Sequence, residues 1–371
     1  MRVRAVTYFV SAASFDEVCL AVDASAAFFR AAVAELKSEG VDLQMARLAT
    51  NGFEQWAAPD PAAALAQLHA LDARLAALED ALGVSVIASI GQLDSRLDDG
   101  VLVEAIATTS RLFASVAMRV DADSGLPDFA RAHECAQLVL AINAATRATG
   151  GEVVSGPLAG APHAFKLAIT CGLGAGTPFF PGAYAPPPGE EAPRVSPAGT
   201  FWRAPAFAFA IENSDLLVAA FSRARHLADP GASPGARLSP QLGGAVLSAA
   251  KRELGKEFGA AVGQLEALGL RLERVCPGVT FAGTDASVAS AARPEESLVR
   301  GFEALGLGPF GGAGTLALAP SDGGHRPRPA RGMRRAADQL AAPQLIRVRN
   351  GYRYCRCPGE YDRGAARGAL L

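Results

Sequence analysis

The chain has 371 residues, half of them hydrophobic and 19% charged, with a formal net charge of −2. That balance supplies a sizeable core and excludes global disorder, and it leaves no broad basic field for nucleic acid or an anionic membrane. No uncharged apolar run reaches the roughly 18 residues of a membrane span, and Met1-Arg2-Val3-Arg4 leads into a short alternation without the apolar region of a signal peptide. The expectation is a soluble, cytoplasmic protein.

The first element is a strand. Val3, Ala5, Thr7 and Phe9 point one way and Arg4, Val6, Tyr8 and Val10 the other, so both sides are largely buried. Ser14-Phe15-Asp16-Glu17 is a capping box. It opens a helix with apolar positions Phe28, Phe29, Val33 and Leu36, which Gly40 terminates. A second strand covers 41–49. Asp60-Pro61 starts a helix striped by Leu65, Leu68, Leu71, Leu75, Leu78 and Leu82 and ended by Gly83. The stripe lasts too few heptads, without flanking charge pairs, for a coiled coil. Strand 84–90, helix 101–109 and strand 112–118 follow. Asp128 caps a helix that runs to Thr149. Strands at 165–171 and 206–211 come next, then helices at 214–228 and 240–268, with Gly269 near the end of the latter. A seventh strand covers 279–285, and Pro294 opens a helix that runs to Gly306. Strands alternating with helices imply an α/β fold of βαβ units with a mainly parallel sheet or barrel.

Two segments break the rhythm. Residues 185–199, with Pro186-Pro187-Pro188-Gly189, read as an exposed insertion or mobile loop. Residues 321–357 lose periodicity and carry many arginines, the pattern of a basic irregular tail. The domain expectation is therefore one unit over 1–320 and an irregular tail over 321–371.

Four features can carry chemistry. Gly172, Gly174, Gly176 and Thr177 follow the fifth strand and allow close backbone approach to a ligand. They are not a dinucleotide fingerprint. That motif needs a helix after the glycines, and Thr177-Pro178-Phe179-Phe180-Pro181 stays extended. The alternative is a chain reversal packed by Phe179 and Phe180. Gly311, Gly312, Gly314 and Thr315 form a second glycine loop, without the lysine of a P-loop. Glu212 and Asp285 each end a predicted strand. There they suit either a general base or ligand anchor, or the start of the next helix, a role that Asn213, Ser214 and Ser287 also fit. The five histidines are dispersed. Of the six cysteines, Cys355 and Cys357 are spaced as C-x-C with no second pair, so neither a metal site nor a cofactor is expected.

Taken together, Gly176-Thr177-Pro178-Phe179-Phe180-Pro181-Gly182-Ala183-Tyr184, 207–216, 281–287 and 306–315 resemble, in order and spacing, the domain of unknown function 711 family, also called uncharacterised protein family 0210. The resemblance covers about 1–320. It implies a pyruvate formate-lyase-like β/α barrel and brings no established activity. Arg347-Val348-Arg349-Asn350-Gly351-Tyr352 only superficially matches a glycyl-radical motif, because the arginine is one position too far upstream. Similar chains continue with further strand–helix units where this one has 321–357, and Pro358-Gly359-Glu360 looks family-like again. We therefore expect that 321–357 derives from a frameshift or mis-splicing, leaving the barrel incomplete at its C-terminus. The functional expectation is an enzyme of unknown reaction. It would hold a small polar or anionic metabolite at strand C-termini through the two glycine loops, Glu212 and Asp285. The alternative is a non-catalytic ligand-binding or regulatory protein with an enzyme-like barrel. A small-molecule ligand and a homo-oligomer are compatible partners; nucleic acid and membrane are not expected.

Overall fold

A computed structural model describes residues 2–94, 100–119, 126, 128–149, 163–171, 173–192, 196–197, 201–231, 239–286, 297–306 and 308. In chain order the elements are β1 (Arg2–Val10), α1 (Phe15–Ser38), β2 (Asp42–Thr50), α2 (Pro61–Leu82), β3 (Ser85–Leu93), α3 (Val101–Thr108) and β4 (Leu112–Met118). They continue with α4 (Phe129–Thr149), β5 (Leu167–Cys171), β6 (Ala206–Glu212), α5 (Ser214–Ala228), α6 (Gly243–Val275), β7 (Thr280–Asp285) and α7 (Leu298–Ala304). The tail at 321–371 lies outside the described residues.

Local chemistry sets the helix ends. Ser14 Oγ accepts from Glu17 N at 3.3 Å, while Glu17 Oε2 accepts from Ala13 N at 2.7 Å, so the reciprocal cap reaches one residue further out than expected. Asp60 accepts from Ala63 N at 2.9 Å with Pro61 in the first turn, and Gly83 leaves the same helix with φ +65°. Asp128 Oδ1 accepts from Ala130 N and Arg131 N at the start of α4.

The seven strands form one sheet in the order β5-β4-β3-β2-β1-β6-β7. β1 to β5 are mutually parallel, as alternating βα units require. β6 runs antiparallel to β1, and β7 follows β6 in parallel. The sheet is thus two parallel sets of opposite direction joined at β1/β6. The junction places Arg2 opposite Glu212.

The helices pack on one side, the helix face, over Val6, Tyr8, Val10, Phe207, Phe209, Ile211 and Phe281. The other side, the loop face, carries Ala5, Phe9, Met45, Ala49, Ile87, Phe113, Ala206, Ala208, Ala210 and Ala282. The alternation expected for β1 breaks near its start. A register shift between Val3 and Ala5 sends Val3 to the helix face with Val6, Tyr8 and Val10. The long helix α6 extends beyond the expected 268, and Gly269 lies within it rather than at its end. A Cβ there would sit 2.4 Å from the Phe281 ring, so helix and sheet approach closely at that point.

The loop face is covered by chain from 173–192 and by Trp202, whose ring meets Phe9 at 5.0 Å. The exposed insertion expected at 185–199 is found only at Pro188, Gly189, Glu190 and Glu191 among the described residues. Ala185, Ala192 and Ser196 are buried. Ala185 N donates to Thr50 O, and Ser11 Oγ to Pro186 O. Backbone hydrogen bonding to the sheet explains why this proline-rich segment lies down rather than standing free. Among the described residues no helix is long and apolar enough to cross a membrane.

Candidate functional site

Four strands, β1, β2, β6 and β7, supply the charged part of the loop face among the described residues. By the two-residue period of β6, Glu212 falls on the same side as Ala206, Ala208 and Ala210. Asp285 pairs with Ala210, so it shares that side. Both carboxylates are buried, Glu212 to 7% exposure and Asp285 to 6%. Asn213 Nδ2 donates to Ala286 O at 3.0 Å and ties the two strand ends together. Glu212 is not the N-cap of the helix that follows it, and the residues after Ala286 that Asp285 would cap lie outside the described ones. Asn213 holds that position before α5.

Glu212 sits among donors. Arg2 Nε lies 3.6 Å from Oε2, Arg4 lies 3.8 Å from Oε1, and Gln44 Nε2 donates to Oε2. Arg47, on β2, stands further into the face and is only 7% exposed. Its Nε points at Met45 Sδ, 3.0 Å away, and its guanidinium lies 4.7 Å over the Phe180 ring. Burial is the main cause that pushes Arg47 down to about 9. The like charge of Arg4 pushes the same way, and Asp285 partly offsets both. At neutral pH Arg47 is still a cation.

The glycine loop reaches this cluster through Phe180. That ring packs against residues of both loop-face clusters and meets Phe113 at 5.7 Å. Ser89 Oγ donates to Pro181 O at 3.1 Å, which fixes the loop across β3. Gly176 has φ +82°, and a Cβ there would come within 2.4 Å of the Trp202 ring. Gly176 N donates to Tyr184 O, and Tyr184 OH donates to Leu173 O. Thr177 is fully buried and Gly174 half-buried. A packed reversal accounts for Gly176 with no ligand invoked. Gly172, Gly311, Gly312, Gly314 and Thr315 lie outside the described residues.

The expectation that both carboxylates and the glycine loop share one rim of strand C-termini takes a different form. Because β6 and β7 run against β1–β5, Glu212 and Asp285 lie beside the N-terminal end of β1, whereas the loop leaves from the C-terminal end of β5. The loop crosses the face, and Phe180 and Arg47 bridge the distance. Arg4, Gln44 and Arg47 were not singled out from the sequence. The signal that marks Arg47 is an arginine inside Met45-Ala46-Arg47-Leu48-Ala49, an otherwise apolar buried strand.

Elsewhere, Lys166 is fully buried beneath the helices, with Nζ donating to Thr109 O. Burial pushes it down to about 7, partly countered by Asp72. A shallow cleft of about 250 Å³ opens near the start of α1, between Ser14, Asp16, Gln55, Trp56 and Gln67. Among the described residues no group of three or more His, Cys, Asp or Glu side chains is placed to hold a metal.

The family model described as Uncharacterised ACR (DUF711) matches residues 1–320. The chain belongs to the DUF711 family. The match spans every described element, including both carboxylate-bearing strand ends and the Phe180 loop. No curated protein matches this DUF711 chain.

Proposed function

We propose that this DUF711 protein is an enzyme acting on a small polar or anionic metabolite bound at the loop face, with Asp285 and Glu212 available for proton transfer. One observation carries the reading. Two buried carboxylates from adjacent strand ends share a largely apolar face with a buried arginine. Charged groups in such a place are costly to a fold and are the usual mark of a working site. We assign the base to Asp285, whose charge acts on Arg47, and a positioning role to Glu212, which Arg2, Arg4 and Gln44 engage.

We also propose the finer fold, a pyruvate formate-lyase-like β/α barrel. Its support is the junction of two oppositely directed parallel sets, with the described helices packed on one face. In that arrangement the loop face is the barrel interior, where ligands of β/α barrels bind.

A second reading has its own support. The enclosure of Glu212 by three donors is also how a structural ion-pair network looks, and it favours a non-catalytic ligand-binding protein. A thermal-shift screen against a metabolite panel finds the ligand under either reading, since any ligand of the native state raises apparent stability. Turnover of the hit then separates the two. The enzyme reading expects Asp285→Asn to abolish turnover and leave the melting temperature within a few degrees of wild type. A ligand that binds tightly and is recovered unchanged from the wild-type protein sinks it.

A further inference from the structure

We infer that Arg47 anchors a carboxylate group of the ligand, holding it edge-on beside Phe180 and near Asp285. The inference rests on the preceding reading of the loop face as a ligand site and names the ligand's chemical class.

A guanidinium carries five N–H donors in a rigid fork. Among the described residues, Arg47 uses one of them, Nε, on the weak thioether acceptor of Met45. No carboxylate of the described residues lies within 4.0 Å of it, although the residue is more than nine-tenths buried. Among the described residues Glu212 pairs instead with Arg2 and Arg4. A largely buried cation with no counter-ion in contact is costly to the fold, which marks Arg47 as a candidate ligand-binding group.

Geometry and charge narrow the class. Phe180 stands 4.7 Å from the guanidinium carbon, and the terminal N–H groups in the plane of the fork have no partner among the described residues. A planar carboxylate accepts two parallel hydrogen bonds in that plane. Among the described residues Arg2 and Arg4 pair with Glu212, which leaves Arg47 as the cation with no carboxylate in contact. A monocarboxylate neutralises it. A phosphate dianion overshoots and meets the field of Asp285.

The test uses the full chain. Melting temperature is followed against acetate, pyruvate and lactate, with inorganic phosphate and chloride at matched ionic strength. The expected result is a saturable rise with at least one monocarboxylate and no more response to phosphate than to chloride. Arg47→Met removes the charge at similar volume. It should melt at or above the wild-type temperature without ligand, and its apparent Kd for the responding carboxylate should rise about tenfold or more. Arg47→Lys keeps the charge but not the fork and gives the same loss should the methionine variant fail to fold. Equal carboxylate response in wild type and both Arg47 variants overturns the assignment, as does a preference for phosphate. If Asp285→Asn and Glu212→Gln abolish a response that the Arg47 variants keep, the loop face stands as the site and only the anchor is wrong. If the wild type responds to none of these anions, the anchor is refuted. A neutral hit in the metabolite panel would then leave the broader reading intact.

Discussion

The same strands present two different surfaces. Along β6, Phe207, Phe209 and Ile211 face the helices, while Ala206, Ala208, Ala210 and Glu212 face the loop. The helix face is held by large apolar side chains locked into one another. Phe207 alone meets Phe28 at 4.8 Å, Phe281 at 5.1 Å and Phe209 at 5.7 Å. The loop face mixes fewer rings, such as Phe9 and Phe113, with small residues and charges under a crossing loop. Stability should therefore reside mainly on one side of the sheet and ligand chemistry on the other.

The strongest challenge to this division is Phe207→Ala. It should cost about 3–5 kcal/mol by denaturant unfolding, because the aromatic cluster cannot close over the cavity. A loss below about 1 kcal/mol would show that the helix face is not where stability lies. Gly176→Ala probes the loop side. It combines left-handed backbone with a Trp202 ring 2.4 Å from the new methyl, and should cost about 2–3 kcal/mol. A neutral result would free Gly176 from its packing role and return it to ligand contact.

Lys166 is the exception on the helix side, a charge among apolar elements. Its folded-state value of about 7 lies below the ordinary 10.5. Below pH 7 both folded and unfolded chains hold the proton, and the burial penalty is fully present. Between pH 7 and 10.5 the folded chain has released it and the unfolded chain has not, so stability rises with pH by about 1 kcal/mol per unit. Lys166→Met should flatten that slope in melting curves recorded from pH 6.5 to 9; an unchanged slope assigns it to another group. The smallest expected effect belongs to Thr7→Val on the loop face. Thr7 Oγ1 is buried with no hydrogen-bond partner among the described residues. Removing it should be neutral or stabilising by up to about 1 kcal/mol. A clear destabilisation would reveal a bound water or ligand contact at that hydroxyl.

Much of the element order was legible because its signals are local. The helix starts at Ser14, Asp60 and Asp128, the stop at Gly83, and the span 214–228 follow from caps and periodicity that need no distant partner. The direction of β6 was not legible, because nothing within 206–212 records which edge it will join or which way. That one reversal separates Glu212 and Asp285 from the rim where the glycine loop begins. The bulge near Arg4 was hidden for the same reason, since it is a mismatch between two strands rather than a property of one. Arg47 was missed because its burial depends on Phe180, a residue far along the chain that arrives from the opposite end of the sheet.

The antiparallel seam between β1 and β6 also has a consequence for how the molecule is made. β1 to β4 alternate with their own helices and can pair as each strand leaves the ribosome, while the other edge of β1 waits until β6 has been synthesised. Until then β1 offers unpaired backbone groups beside apolar Ala5, Val6 and Tyr8, a template for a wrong strand. Closing the seam is the longest-range pairing in the sheet, and such pairings are slow. The step that finishes the loop face is therefore expected to be the one at which nascent chains are lost to aggregation, and a truncation ending before residue 206 should accumulate as insoluble protein.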